Sequence, residues 1–222
     1  MWFYIPTRLL PCCAAAVVVA ASLPGNSEVY AIDVDIKMDE AKKVLESSRL
    51  SMETAKNPEE AKKIGQQIFS AYRVGADPEK EPCSPSAVLH TKRYWLEWFG
   101  GVEAAESKKK SESVRMPDTK VQKLLDMPNM EVEVQLCGDD EYFADQAELS
   151  MQQGSKPQPI QPLDKTPATK GRAVTGMDKT YRSLVKGLFA YDSFDRNAKT
   201  KLMVTFPDGK MTELEADFSK VR

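Results

Sequence analysis

The sequence contains few of the residues and motifs on which enzyme chemistry commonly depends. His90 is the only histidine among 222 residues, so acid–base catalysis by histidine or a histidine-rich metal site would have to use this side chain. The sequence contains no GxSxG nucleophile motif, no glycine-rich phosphate loop and no dinucleotide-binding fingerprint. We therefore expect no cofactor, and the sequence favours a non-enzymatic protein.

Cysteine is also scarce. Of the four cysteines, Cys12 and Cys13 lie near the N-terminus, which leaves Cys83 and Cys137 in the rest of the chain. No CxxC or HxxxH spacing accompanies them, so we predict no metal site. Two cysteines in an oxidising compartment favour one disulfide between Cys83 and Cys137, and two free buried thiols are the alternative.

The chain has no excess of charge of either sign. Lysine and arginine number 31, against 33 aspartates and glutamates. A polyanionic partner usually requires a strongly basic surface, so this balance disfavours nucleic acid as a partner.

The first 31 residues have the organisation of a signal peptide. Arg8 precedes an uncharged apolar run over residues 9–23, and Val29 and Ala31 occupy positions −3 and −1 of a signal-peptidase site. The run is shorter than the roughly 20 residues that span a bilayer comfortably. We expect cleavage after Ala31 and export to the periplasm or the medium. The alternative is an uncleaved membrane anchor over residues 9–23, the one case in which the protein would contact a membrane.

Residues 32–102 have a largely helical hydrophobic pattern. Val44 and Leu45 belong to a first amphipathic stretch, and Ile64 and Ile68 belong to a second. Asn57 has the position of an N-cap between them, since proline and two glutamates follow it. Two amphipathic helices joined at this residue predict a helical hairpin.

A third helix is predicted over residues 88–99. Gly100-Gly101 follows as a natural stop, and a strand is disfavoured because aromatic residues would occupy both of its faces. Residues 103–117 are polar and include Lys108, Lys109 and Lys110, which predicts a solvated linker or helix end.

From about Val121 onward the hydrophobic period changes to two. Apolar residues alternate with polar ones in short runs, the clearest containing Met130, Val132, Val134 and Leu136. Asp208-Gly209 predicts a tight turn within a terminal hairpin. About five or six short strands separated by turns favour an antiparallel sandwich or barrel. The predicted fold class is α+β: an N-terminal helical hairpin and a C-terminal antiparallel β-sandwich over 118–222, immunoglobulin-like or jelly-roll-like.

Two groups of residues are candidates for a binding site. Trp95 and Trp98 belong to an aromatic cluster that could stack on sugar rings or enter a partner, or could form part of the core. Asp139, Asp140 and Asp195 lie in acidic segments between predicted strands, where they could bind a cation or only shape turns.

These features support two hypotheses of function. The leading one is a binding or structural module outside the cytoplasm, with another envelope or extracellular protein as its partner. The alternative is a hydrolase or carbohydrate-active enzyme that uses the loop carboxylates, with the tryptophans as a stacking platform.

Overall fold

A computed structural model describes residues 32–155 and 158–221. Within these ranges the chain forms four α-helices and two antiparallel sheets, of six and three strands, neither of which closes into a barrel. The predicted signal peptide over 1–31 lies outside the described residues. None of the described helices is both long enough and apolar enough to cross a membrane.

Helices and strands alternate along the chain. The helices are α1 (Met38–Glu53), α2 (Pro58–Ser70), α3 (Lys92–Lys110) and α4 (Asp118–Leu125), with a short 3-10 turn at Phe218–Lys220. The strands are β1 (Arg73–Gly75), β2 (Ser86–His90), β3 (Asn129–Gly138), β4 (Glu148–Gln153), β5 (Asp164–Thr166), β6 (Arg172–Ala173), β7 (Tyr181–Ala190), β8 (Lys199–Thr205) and β9 (Met211–Asp217).

The first two helices occur where the sequence pattern places them. Asn57 caps α2, since its side-chain oxygen accepts a hydrogen bond from the backbone N–H of Glu60 at 2.8 Å. The main packing partner of α1, however, is α3 and not α2. None of the residues of α2, all of which the structure describes, is buried. The helical core therefore consists of residues from α1, α3, α4 and the segment before α1: Ile36, Ala41, Val44, Leu45, Leu96, Val121 and Leu125.

The third helix differs from its prediction over residues 88–99. This segment begins as strand β2 and becomes helical only after Thr91, whose side chain accepts a hydrogen bond from Tyr94 N at 3.1 Å. The helix then continues through Gly100 to Lys110, so the first half of the predicted linker over 103–117 is helical. Pairing of β2 with β1 and β3 outweighs the local helical pattern before the cap. Region 32–102 therefore contains two strands as well as helices.

The alternation predicted for β3 is confirmed. Its burial alternates from residue to residue, with Met130, Val132, Val134 and Leu136 buried. In the six-stranded sheet the order is β1-β2-β3-β7-β5, with β6 also paired to β7, and in the smaller sheet it is β4-β8-β9. The predicted terminal hairpin is confirmed as β8 and β9, joined through a turn in which Gly209 has a φ of 82°.

One apolar cluster contains residues of both sheets. Val132, Val185 and Phe189 of the larger sheet lie in the same cluster as Met151 and Leu202 of the smaller sheet. This cluster and the helical core are the two hydrophobic cores of the described chain.

A buried lysine links the helices to the segment that precedes them. Lys92, at the start of α3, donates hydrogen bonds from Nζ to the backbone oxygen of Val34 at 3.0 Å and to that of Leu125 at the end of α4. Its backbone N–H donates to the Tyr191 hydroxyl at 3.2 Å. Burial lowers the pKa of Lys92.

The predicted disulfide between Cys83 and Cys137 is confirmed. The two Cα atoms are 5.2 Å apart, and the bridge joins the segment before β2 to the neighbouring strand β3. A disulfide is compatible with an exported protein.

Candidate functional site

The six-stranded sheet has one face that points away from the apolar core. Since side chains alternate along a strand, the residues of β3 between the buried ones lie on this face. The strand registers place residues of β2 and β7 beside them. We call this surface the outer face; its members are Val88, His90, Glu131, Glu133, Gln135, Cys137, Arg182, Leu184, Lys186 and Leu188.

A network of charged groups occupies one end of the outer face. His90 Nδ1 lies 3.0 Å from Glu131 Oε1, and Lys186 Nζ lies 3.2 Å from the same oxygen. Lys186 Nζ also lies 2.7 Å from Glu133 Oε2. The histidine, the two carboxylates and the ammonium group thus form one connected chain across β2, β3 and β7.

Contacts within the network shift the pKa of Glu131 and that of Lys186. The hydrogen bond from His90, assisted by the one from Lys186, lowers the pKa of Glu131 to about 2. Burial alone would lower the pKa of Lys186, but its bonds to Glu133 and Glu131 outweigh that effect and raise it. The contact between Glu131 and Lys186 is therefore maintained in its charged form at neutral pH.

Aromatic side chains of α3 cover the histidine. The Tyr94 ring stacks on His90 with centroids 4.4 Å apart, and Trp95 meets the imidazole edge-on at 5.2 Å. Trp98 packs edge-on against Trp95 at 5.9 Å and keeps 38% of its surface exposed. His90 itself is only 7% exposed, so the network is closed to solvent on the histidine side.

His90, Glu131 and Glu133 are also grouped closely enough to hold a cation. Their potential ligand atoms lie within 4.8 Å of one another. Lys186 Nζ, however, already contacts both carboxylates and offsets part of their negative charge. A divalent ion would have to displace this ammonium group, so the geometry fits an internal ion-pair network better than a metal site.

A pocket of about 600 Å³ lies beside the network, towards the other end of the outer face. Two arginines, Arg172 of β6 and Arg182 of β7, contribute to its lining and are directly paired in the strand register. Glu133 lines the same pocket but is paired with Lys186. The remaining lining includes Pro82, Gln135, Thr169, Val174 and Leu184.

The carboxylates predicted as site residues lie outside this pocket and occupy turns. Asp140 Oδ1 accepts a hydrogen bond from Tyr142 N at 2.7 Å, and Asp195 Oδ1 accepts one from Asn197 N at 2.8 Å. Asp139, Asp140 and Asp195 are all exposed. Hydrogen bonds of this kind shape turns, which is one of the two roles that the sequence suggests for these carboxylates.

The structure does not bring the predicted site residues together. Asp139 follows the end of β3, and Asp195 follows the end of β7, its antiparallel neighbour. Two paired ten-residue strands separate these ends by about 30 Å. Trp95 and Trp98 do contact each other, on α3, but their described aromatic contacts are with His90, Tyr94 and Phe99.

Sequence reasoning did not identify the residues of the outer face as a site. The alternation of β3 places Glu131, Glu133 and Gln135 on a polar face, which is the one local signal available. Lys186, Arg182 and the neighbouring strand join them only through pairings that are distant in sequence.

No protein-family model matches this chain, and no curated protein matches it. The interpretation of its function depends on the geometry of the outer face.

Proposed function

We propose that this protein is an exported, non-enzymatic binding module that uses the outer face to recognise another protein of the envelope or extracellular space. The observation that carries the proposal is the pocket of about 600 Å³ on a sheet face, beside charged groups that are held in ion pairs. A pre-formed concave site with a few convergent polar groups is typical of recognition.

The arrangement of the titratable groups supports binding over catalysis. His90 is engaged by Glu131 and covered by Tyr94, which leaves its ring poorly placed to exchange protons with a substrate. Asp139 and Asp195 are far apart and exposed, so these two loop carboxylates, on which the enzyme alternative depends, do not converge. Export is supported by the Cys83–Cys137 disulfide and by the N-terminal sequence.

The proposed module is a two-sheet sandwich with a helical hairpin attached. A sandwich is supported by the apolar cluster that contains residues of both sheets. A hairpin of α1 and α2 is supported by a shallow groove that Leu50 of α1 lines together with Ile64 and Ile68 of α2.

Site-specific photo-crosslinking tests this proposal. A photoreactive amino acid replaces Gln135 on the outer face, and the control carries it at Lys63, an exposed position on α2. Irradiation in the producing cells should crosslink the Gln135 variant, and not the Lys63 variant, to a discrete second protein. Equal labelling at both positions, or none at Gln135, would reject the outer face as a recognition surface.

A further inference from the structure

The geometry points to an acidic ligand: we propose that the pocket on the outer face binds a carboxylate side chain of the partner between Arg172 and Arg182. This inference rests on the proposed function, because it specifies the chemistry of the same recognition surface. We call these two residues the arginine pair.

The arginine pair is held together by the sheet. The Cα atoms of Arg172 and Arg182 are direct partners in the antiparallel ladder of β6 and β7. Thr169 fixes the segment leading into β6, since its Oγ1 accepts a hydrogen bond from Leu184 N at 3.0 Å and its backbone N–H donates to Leu184 O at 3.0 Å. Like charges placed directly opposite each other destabilise a sheet. The pairing therefore suggests a ligand that supplies negative charge.

No described residue supplies that charge. Among residues 32–155 and 158–221, neither guanidinium group of the arginine pair forms an ion pair or a side-chain hydrogen bond. The Nε atom of Arg182 is buried without a hydrogen-bond partner in that part of the chain. A buried donor of this kind costs free energy until an acceptor reaches it. Glu133, the one carboxylate that lines the pocket, is engaged by Lys186 at 2.7 Å.

The pocket also has the size and lining for more than a small ion. Its volume of about 600 Å³ exceeds what an inorganic anion fills, and Pro82, Val174 and Leu184 add apolar surface to the polar lining. A guanidinium group binds a carboxylate in a planar, bidentate manner, which gives direction as well as energy. An aspartate or glutamate presented by a peptide segment matches both features.

Isothermal titration calorimetry with the full exported chain tests the inference. The probes are a short peptide containing two glutamates, the same peptide with glutamines, and inorganic phosphate. Arg172→Gln and Arg182→Gln each remove one guanidinium, and Lys63→Gln removes a positive charge from α2 as the matched control. We expect saturable binding of the glutamate peptide, at least about tenfold weaker binding by each arginine variant, and no change in the control. Circular dichroism establishes that each variant is folded, and Arg172 is exposed enough for its substitution to be tolerated.

The outcomes separate this inference from the proposed function. Binding of phosphate without binding of the glutamate peptide would overturn the carboxylate assignment, as would equal affinity of the arginine variants and the wild type. If the Gln135 crosslink persists in both arginine variants, the recognition surface stands and the role of the arginine pair is rejected. If that crosslink is absent while the glutamate peptide binds as expected, carboxylate binding by the pocket is supported and the protein partner is rejected.

Discussion

At the scale of single residues, Glu131 should make the protein sensitive to acid. Its pKa in the folded state is about 2, against an ordinary value of 4.5, so its ionised form is stabilised by folding. This contribution is fully present above about pH 4.5 and is lost as pH falls through about 2. We estimate it at about 1–2 kcal/mol after allowing for solvent screening.

Replacing Glu131 with glutamine tests that contribution. The free energy of unfolding of Glu131→Gln, measured by urea denaturation, should fall less steeply between pH 4.5 and 2 than that of the wild type. Glu112→Gln, at an exposed position after α3, is the control and should retain the wild-type slope. Parallel profiles for Glu131→Gln and the wild type would contradict the role of the network.

Lys92 provides a second prediction at this scale. Substituting methionine keeps the apolar stem but removes the Nζ donors, which leaves the half-buried carbonyl of Val34 and the buried carbonyl of Leu125 without this partner. We expect a loss of about 2–4 kcal/mol of unfolding free energy. Lys63→Met at an exposed position should change it by less than about 0.5 kcal/mol. Equal effects of the two substitutions in chemical denaturation would contradict a structural role for the buried ammonium group.

At the scale of elements, the contact between α1 and α3 depends on one glycine. A Cβ atom at Gly100 would lie 2.5 Å from Leu45 O and 2.9 Å from Ser48 Cβ, whereas at Gly101 the nearest atom would be Met52 Cγ at 3.7 Å. Gly100→Ala must therefore push the two helices apart, and it should destabilise the protein by about 1–3 kcal/mol.

Gly101→Ala is the matched control, because it makes an ordinary contact and alanine favours a helix over glycine by about 1 kcal/mol. Thermal denaturation should thus shift in opposite directions for the two variants, or leave Gly101→Ala unchanged. Stabilisation of Gly100→Ala, or a similar destabilisation of both variants, would contradict the role of the close approach of α1 at Gly100.

The elements that the sequence predicted well are those with a local cause. The Asn57 cap, the alternation of β3 and the turn at Gly209 each follow from side-chain chemistry within a few residues. The boundary between β2 and α3 was mispredicted because strand pairing with β1 and β3, which no local pattern encodes, decides where the helix starts.

Most residues of the candidate site could not be predicted from the sequence, for the same reason. Glu131 and Glu133 could be assigned to a polar face, but their partners His90 and Lys186 lie 41 and 55 residues away from Glu131 in sequence. The arginine pair likewise arises from a two-residue strand that composition does not reveal. Trp95 and Trp98 were chosen as candidates from their residue type; they contact each other, and Trp95 also contacts His90. Their role in binding stays a prediction.

At the scale of the whole molecule, two hydrophobic cores have to be coupled. The segment before α1 belongs to both, since Ile32 lies in the core of the sheets and Ile36 in that of the helices. Lys92 adds a polar link between this segment and α4. The disulfide closes a stretch of chain, 54 residues in sequence separation, that contains all of α3 and α4. These links favour a single cooperative unit over two independently melting parts.

Removal of the disulfide tests this coupling. In the chain-entropy treatment, a loop of this length stabilises the folded state by about 4 kcal/mol. The double substitution Cys83→Ser and Cys137→Ser should therefore lower the melting temperature substantially. The helical signal in far-ultraviolet circular dichroism and the tryptophan fluorescence of α3 should shift together with the sheet signal, because α3 lies within the closed loop and packs against both cores. If the sheet melted early while the helices kept the wild-type transition, α1, α3 and α4 would form an independent unit, and the links through Ile32, Ile36 and Lys92 would be too weak to couple the two cores.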